Sequence, residues 1–343
     1  MLKLTFGATR NLRLQPMMDG SVKPQNIELQ FVIASPPELF FRNLKYDEFD
    51  VFEMSLSEYL ITKDRRDASR WRWSGLPVFF SKASIWLTLS ANAEAQIHSP
   101  KDLVGKRVGV PDYPMTAALW MRIVLQELYG VKPQDIRWYN GRLKELSHSG
   151  ILELDKNPPR GISLTWLAQN QAMDVMLEKG ELDAAFGLRP GDPEAKTFTQ
   201  INRYGGAVVQ GNPKIRRLFP DGGRQITTDY YNRVGFVPPS HMIVVQERIL
   251  RDNPWVALEL YKACQRSKDL AYERARQMQS TYLLFEGNDY ARQAALFGPD
   301  PYPLGIQMNK HMLAIISWSS FEEGLLKKEA KIEELFPSSL WDT

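Results

Sequence analysis

The stretch GKRVGVPDYPMTAALW, residues 105–120, decides the fold because it joins a short apolar strand to a helix through a polar turn. Apolar residues recur at helical spacing after the turn, at Leu119, Ile123, Val124 and Leu128. This spacing predicts an amphipathic helix, and Thr116 or Asp112 stands where a side chain caps its first turn. Because backbone N–H groups at a helix start attract anions, the turn predicts a carboxylate site in a βα unit.

Strands and helices alternate along the rest of the chain. The predicted strands are residues 2–6, 28–33, 51–54, 86–90, 105–110, 135–138, 182–186 and 242–245. The predicted helices are residues 37–43, one beginning at Ser55 or Ser57, residues 174–178, and most of residues 254–336. This alternation predicts an α/β fold with two lobes, one formed by residues 1–91 plus 240–343 and the other by residues 92–239.

Composition narrows the class of protein. The 343 residues are 43% hydrophobic, which is enough for a large core, and 43 basic against 40 acidic residues leave a net charge of only +3. The sequence has no dense run of Lys and Arg, so nucleic acid is not predicted as a partner. No apolar stretch reaches the ~20 residues of a membrane span. The single Cys264 predicts a buried thiol. A start that lacks an apolar secretory segment predicts a cytoplasmic, soluble protein.

Seven motifs occur in an order and spacing that resemble the 4,5-dihydroxyphthalate decarboxylase-like family. They are FDVFEMSLSEYL (49–60), LVGKRVGVPDYPMTA (103–117), GELDAA (180–185) followed by Arg189-Pro190, RLFPD (217–221), GFVPPSHMIVV (235–245), NPWVA (253–257) and LF (335–336). The resemblance implies the type II periplasmic-binding-protein fold, in which two crossover strands, here near residues 86–90 and 242–245, join the lobes around a ligand cleft. It also implies decarboxylation of a small hydroxylated aromatic carboxylate, most like 4,5-dihydroxyphthalate converted to protocatechuate and carbon dioxide.

That reaction needs a general acid for the ring carbon, and cations or N–H groups for the carboxylate that stays. His241 is the candidate acid and Asp112 the second catalytic candidate. The candidate substrate-binding residues are Arg10, Ser55, Ser57, Lys82, Ser84, Tyr113, Thr116 and Arg189. Four segments that follow predicted strands, residues 7–11, 55–57, 111–116 and 187–189, are expected to converge at the cleft.

Structural roles for these residues stay open. His241 could bond a neighbouring carbonyl, and Tyr113 could simply pack. Helix capping, rather than contact with a ligand, remains an alternative role for Asp112, Thr116, Ser55 and Ser57. For the cations Arg10, Lys82 and Arg189, the alternative is a solvent-exposed position without a ligand.

Two departures from the family pattern bear on the substrate. Ser81-Lys82 stand where the family commonly has an Arg-His pair, and Ala8-Thr9-Arg10-Asn11 lack the acidic and aromatic residues usual before the arginine. Two alternatives therefore remain: a non-catalytic solute-binding protein of the ABC-transporter type, or a lyase resembling menaquinone-pathway enzymes. No cofactor is predicted. The spacing of His98, His148 and His311 does not predict a metal site, although a divalent metal stays open. The expected partner is a small aromatic carboxylate, with a homo-oligomer as a further possibility.

Overall fold

The computed structural model describes residues 1–67, 69–188, 209, 211–282 and 288–343. The strands are β1 (Leu2–Ala8), β2 (Ile27–Ile33), β3 (Val51–Ser55), β4 (Trp73–Ser81), β5 (Ser90–Asn92), β6 (Arg107–Val110), β7 (Arg137–Asn140), β8 (Ser163–Trp166), β9 (Ala184–Ala185), β10 (Ile215–Arg217) and β11 (His241–Gln246). The helices are α1 (Gln15–Met18), α2 (Pro36–Tyr46), α3 (Leu56–Arg65), α4 (Thr116–Tyr129), α5 (His148–Ile151), α6 (Met173–Glu178), α7 (Arg224–Val234), α8 (Glu247–Asp252), α9 (Val256–Tyr282), α10 (Asn288–Phe297), α11 (Ile306–Glu322) and α12 (Ile332–Leu335).

Two mixed sheets organise the chain, as the predicted α/β class requires. The first has the strand order β2-β1-β3-β11-β4, in which β11 runs antiparallel to both β3 and β4. The second has the order β10-β5-β9-β6-β7-β8, with a parallel centre made by β9, β6, β7 and β8. Because parallel strands end at the same edge of a sheet, the loops that follow β1, β3 and β6 are available to form a cleft.

The strand β11 carries the chain back into the first sheet, where the sequence predicts residues 242–245 as a strand. Its side chains alternate between two apolar layers: Met242 and Val244 pack on one face, and Ile243 and Val245 on the other. The first of these layers continues into the second sheet through Val108 and Val110. One core therefore spans both sheets and fixes the strand end at which His241 lies.

The prediction of a crossover strand at residues 86–90 is wrong. Ile85–Thr88 form a 3₁₀ turn instead, and Ser90 belongs to β5 of the second sheet. Leu87 in this turn is 47% exposed, whereas Trp86 and Leu89 on either side are buried. A short apolar run does not by itself distinguish a strand from a turn of helix.

The strand β4 was not predicted, because Gly75 and Pro77 resemble strand breakers. The structure explains both residues. β4 is the edge strand of its sheet, where proline is tolerated. A Cβ on Gly75 would lie 2.5 Å from Met242 Cε and 3.2 Å from the Leu335 carbonyl oxygen, so the packing around β4 favours a small residue there.

The other predictions of secondary structure are confirmed in type, with shifted ends. Residues 2–6, 28–33 and 51–54 lie within β1, β2 and β3, and residues 37–43 lie within α2. The strand predicted at residues 182–186 shortens to Ala184–Ala185. Cys264 is a buried free thiol. Among the described residues, no helix has the length and apolarity that a membrane span requires.

We propose the division of lobes that the sequence predicts, residues 1–91 plus 240–343 and residues 92–239. The membership of the strands supports it, since β1 to β4 and β11 form the first sheet and β6 to β10 belong to the second. β5 straddles the proposed boundary and pairs with β9 and β10.

Candidate functional site

A cavity of about 220 Å³ lies where the two sheets meet. Its apolar walls include Phe40, Ile85, Met115 and Phe186, and its polar lining is Ser35, Ser55, Glu58, Ser81, Ser84, Thr88, Thr116, Arg142, Ser240, His148 and His241. Drug-sized ligands occupy pockets of roughly 300–1,000 Å³, so this smaller cavity favours a compound with a single ring.

His241 lies at the start of β11 and lines the cavity. The pairing of β11 with β4 is irregular between His241 and Ile243, and such irregularities redirect side chains. His241 Nδ1 lies 2.7 Å from Glu53 Oε1, and Nε2 makes no hydrogen bond with a described residue. A carboxylate accepts and does not donate, so Nδ1 carries the proton and Nε2 is the nitrogen open to a ligand.

Glu53 is buried in the middle of β3, where it serves as the partner of His241. Its second oxygen, Oε2, accepts hydrogen bonds from Thr9 Oγ1 at 2.6 Å and Thr9 N at 3.0 Å. Burial alone would raise the pKa of Glu53, but the hydrogen bonds from His241 and Thr9 outweigh burial and lower it. The carboxylate is therefore ionised and accepts the hydrogen bond from His241 Nδ1.

A second pair of histidine and carboxylate, His148 and Glu58, lines the same cavity. His148 Nδ1 is 2.9 Å from Glu58 Oε1, and His148 Nε2 is 3.0 Å from the Pro37 carbonyl oxygen. Burial by itself lowers the pKa of His148, but the Glu58 and Asp112 carboxylates raise it above its ordinary value. The Phe40 ring contacts both histidines, with centroid distances of 4.8 Å to His241 and 6.1 Å to His148.

Asp112 does not line the cavity. It is fully buried behind the cavity wall and accepts a hydrogen bond from Arg142, which does line the wall. Asp112 also accepts from Ser149 Oγ at 2.8 Å and from the His148 backbone N–H at 3.3 Å. Burial raises the pKa of Asp112, but Arg142 and His148 lower it overall. Asp112 therefore orients the cavity's cation and the start of α5, and it touches no ligand directly.

The first turn of α4 faces the cavity through Met115, Thr116 and Ala117. The prediction that Thr116 or Asp112 caps this helix is wrong, because Met115 occupies the N-cap and no side chain caps the turn. Thr116 Oγ1 instead lies 2.8 Å from Ser55 Oγ, and Asp112 turns toward Arg142. The Thr116 backbone N–H donates to Ser55 Oγ at 3.4 Å, and the anion site that the sequence predicts at this turn stays a prediction.

The structure brings four of the predicted site residues to the cavity wall: Ser55, Ser84, Thr116 and His241. Ser57 lies one layer behind, where its backbone N–H donates to Thr116 Oγ1 at 3.0 Å. Ser84 Oγ donates to the Gly222 carbonyl at 2.9 Å.

Besides Ser57, four predicted residues do not line the cavity. Arg10 is exposed beyond β1, and only its neighbour Thr9 reaches the site, through Glu53. Tyr113 is fully buried with its ring 3.9 Å from the Arg122 guanidinium carbon, so it packs. Asp112 lies behind Arg142, and Lys82 lies between two lining residues without lining the cavity itself. Arg189 lies outside the described residues.

Lys82 is buried, at 5% exposure. The charged groups around it are Asp300, Lys268 and Arg13, and none of them lines the cavity. Burial lowers the pKa of Lys82, Asp300 raises it, and the nearby Lys268 and Arg13 lower it further, to about 7. Tyr302 Oη donates to the Lys82 carbonyl at 3.0 Å. These contacts connect Lys82 to α9 and to the segment before α11.

Sequence reasoning missed Glu53, Glu58, Arg142 and His148. The signal for Glu53 was a carboxylate inside an otherwise apolar strand. Glu58 was obscured because Ser55-x-x-Glu58 has the form of a capping box. The structure shows no such cap at Ser55, and Glu58 faces His148 instead. His148 and Arg142 come close to the residues at the end of β3 only when the chain folds. Their spacing in the sequence therefore does not predict that they belong to the site.

Within the described ranges, no three His, Cys, Asp or Glu side chains form a group that could hold a metal ion.

Comparisons with known proteins show which family and which fold the chain shares. No protein-family model matches the sequence. A 4,5-dihydroxyphthalate decarboxylase of Comamonas testosteroni is 30% identical over 342 residues, which cover 99% of this chain and 98% of that protein. A second protein of that name, from Pseudomonas putida, is 30% identical over 236 residues, 68% of this chain and 83% of the relative.

Solved structures with the same fold include periplasmic binding proteins. The alkanesulfonate-binding protein SsuA of Xanthomonas axonopodis pv. citri superposes with a TM-score of 0.54 at 15% identity, covering 98% of each chain. The aliphatic sulphonate binding protein SsuA of Escherichia coli gives a TM-score of 0.53 at 12% identity, covering 100% of each chain. The fold is thus that of the periplasmic binding proteins, and by its full-length sequence similarity the chain belongs to the 4,5-dihydroxyphthalate decarboxylase family.

Proposed function

We propose that this carboxy-lyase removes one carboxylate from a small hydroxylated aromatic diacid, with 4,5-dihydroxyphthalate as substrate and protocatechuate and carbon dioxide as products. The observation that carries the proposal is the arrangement of His241. Its Nδ1 is held by Glu53 at 2.7 Å, and its Nε2 is left without a hydrogen bond among the described residues. His241 also lines a cavity of single-ring size.

The chemistry needs such a group because the ring carbon that loses carbon dioxide must gain a proton. An imidazolium near neutral pH is a suitable donor, and an adjacent ionised carboxylate stabilises it. Glu53 has that role in the proposal, since its lowered pKa keeps it ionised beside the ring. Glu53 in turn is fixed by Thr9, directly after β1.

The carboxylate that stays on the ring needs its own partner. Arg142 and the uncapped first turn of α4 both face the cavity and both favour an anion. The hydroxyls of Ser55 and Thr116 lie at the same wall, 2.8 Å apart. Phe40, Ile85 and Phe186 supply the apolar surfaces that a ring would pack against.

The test is to incubate the purified protein with 4,5-dihydroxyphthalate and to measure carbon dioxide and protocatechuate together. The proposal expects equal amounts of both products from the wild type and a large loss of both from His241→Ala. The matched control is His98→Ala, which removes an exposed histidine that bonds Gln96 rather than lining the cavity.

Other outcomes would redirect the proposal. Binding of the diacid without either product would contradict decarboxylation and favour a solute-binding role, which the fold also supports. Equal turnover in the wild type and His241→Ala would keep the reaction but remove His241 as the acid.

A further inference from the structure

Glu58 carries a buried carboxylate oxygen that lacks a donor. Its side chain is fully buried, sits in the first turn of α3 and lines the cavity. Oε1 is bonded to His148, whereas Oε2 has no hydrogen-bond partner in the described part of the chain. A buried acceptor without a donor is unfavourable, and more so when it is charged, so a ligand with a donor is expected to stabilise it.

The hydrogen bonds of His148 indicate where the protons of the pair His148 and Glu58 lie. Both of its ring nitrogens face oxygen acceptors, Glu58 Oε1 at 2.9 Å and the Pro37 carbonyl at 3.0 Å. A backbone carbonyl only accepts, so Nε2 carries a proton, and the Glu58 and Asp112 carboxylates raise the pKa of His148, which favours a second proton at Nδ1. His148 is then an imidazolium with both donors engaged, unlike His241, whose Nε2 is open.

We propose that Glu58 Oε2 accepts a hydrogen bond from a ring hydroxyl of the substrate and thereby restricts the site to hydroxylated aromatic acids. This inference rests on the function proposed above for the same cavity. A hydroxyl supplies the missing donor without adding charge, whereas a second carboxylate at this position would be repelled by Glu58.

The position of Glu58 complements that of the acid. Glu58 and His241 reach the same cavity from α3 and β11, and the Phe40 ring contacts His241 and the His148 that binds Glu58. A hydroxyl para to the departing carboxylate lies at the opposite end of an aromatic ring. The inference requires that one ring present its carboxylated carbon to His241 and its hydroxyl to Glu58.

The proton and electron balance of the step is simple. His241 gives a proton to the ring carbon as the hydroxyl proton shifts toward Glu58 and the hydroxyl oxygen becomes a carbonyl. The bond from that carbon to the carboxylate then breaks, carbon dioxide leaves, and the bonding electrons restore the aromatic ring. Glu58 returns the proton to the oxygen, and solvent reprotonates His241. One proton is consumed overall, and no redox partner is needed.

The test measures binding by titration calorimetry for three ligands: 4,5-dihydroxyphthalate, phthalate, and 4,5-dimethoxyphthalate. Every protein in this titration also carries His241→Ala, so that the diacid is not consumed, and the protein with no further change is the wild type of this comparison. In the wild type, the dissociation constant for the dihydroxy compound should be about 10- to 100-fold lower than for phthalate, the range expected for a hydrogen bond to a charged group. In Glu58→Gln this preference should fall to within about threefold, because the charged acceptor is gone. The dimethoxy compound, which has no donor, should gain nothing from Glu58 in either protein.

A matched control is Glu323→Gln. Glu323 is also a buried carboxylate, but it pairs with Arg122 and lies outside this cavity. The hydroxyl preference of Glu323→Gln should equal that of the wild type. An unchanged preference in a folded Glu58→Gln would overturn the inference. If that variant does not fold, a wild-type preference below about threefold would overturn it as well.

These outcomes separate the inference from the proposed function. A preference for the dihydroxy compound through Glu58, with no carbon dioxide released by the protein that retains His241, sinks the decarboxylase proposal and leaves the role of Glu58. Turnover of the diacid by the protein that retains His241, while Glu58→Gln keeps the full preference, sinks only the role of Glu58.

Discussion

Glu53 and His241 are joined across the paired strands β3 and β11 by a hydrogen bond of 2.7 Å between Oε1 and Nδ1. This bond determines which nitrogen of the imidazole is open to the cavity, because the ionised carboxylate accepts from Nδ1. It also ties the candidate acid to β1, since Thr9 binds the other oxygen of Glu53. Three elements that are far apart in sequence therefore position one proton donor.

Replacing His241 by alanine should reduce kcat by about 10²- to 10⁴-fold, the usual contribution of a positioned acid. Affinity for the diacid should stay within about tenfold, because an acid acts mainly in the transition state. Product release over time gives kcat, and calorimetry gives the dissociation constant. A loss of affinity as large as the loss of kcat would instead make His241 a ligand anchor.

Replacing Glu53 by glutamine should also lower kcat, by about 10²-fold or more, while leaving diacid affinity nearly unchanged. Glutamine retains the size of the side chain but offers no negative charge to an imidazolium and allows the ring to take the wrong tautomer. Steady-state rates and circular dichroism together test this expectation. A folded Glu53→Gln protein with wild-type kcat would show that the His241–Glu53 bond is structural.

Much of the fold could be predicted from local patterns, because the strands β1, β2, β3 and β11 and the helix α4 each carry their own apolar periodicity. Elements whose identity depends on tertiary context could not. The strand β4 contains Gly75 and Pro77, which are tolerated through the packing of β11 and an edge position that local sequence does not reveal. The 3₁₀ turn Ile85–Thr88 has the composition of a strand but lies between the sheets.

The residues of the site also divide into those that local sequence predicts and those that only the fold brings together. His241 and Thr116 were predictable because each stands at the end of a recognisable element, and both reach the cavity wall. Glu58 and His148 are 90 residues apart and meet only when α3 and α5 are brought together by the fold. Asp112 illustrates the limit most clearly: the sequence predicts it as a catalytic residue, but in the structure it lies behind the cavity wall and bonds Arg142, which local reasoning had no means to place.

Stability should fall at both ends of the pH range for different reasons. The pKa of Asp112 is lowered in the folded protein, so its contribution is present above its unfolded value of about 3.9 and is lost as pH falls through the folded value. The pKa of His148 is raised, so its contribution is fully present below its unfolded value of about 6.5 and is lost as pH rises through the folded value.

Urea unfolding between pH 3 and pH 9 would check these signs. Asp112→Asn should flatten the acid limb of the free energy of unfolding, and His148→Gln should flatten the alkaline limb. His98→Gln, which changes an exposed histidine, should leave both limbs as they are in the wild type. An alkaline limb that persists in His148→Gln would show that other groups cause it.

The wall between β9 and the turn before α4 depends on Gly187, which lies against Pro111 at the edge of the cavity. Gly187 has a φ of +85°, and a Cβ there would lie 2.6 Å from Pro111 Cγ. Gly187→Ala should therefore reduce the free energy of unfolding by about 1–3 kcal/mol and weaken diacid binding, because either Gly187 or Pro111 must move.

Gly105→Ala is the matched control, since Gly105 has a φ of +75° but no atom within 4 Å of the added carbon. Its effect should be limited to the backbone cost of a left-handed alanine, about 1–2 kcal/mol and less than the effect of Gly187→Ala, with binding unchanged. Equal destabilisation by the two substitutions in urea unfolding would mean that the contact with Pro111 adds no strain and that Gly187 serves only its backbone conformation.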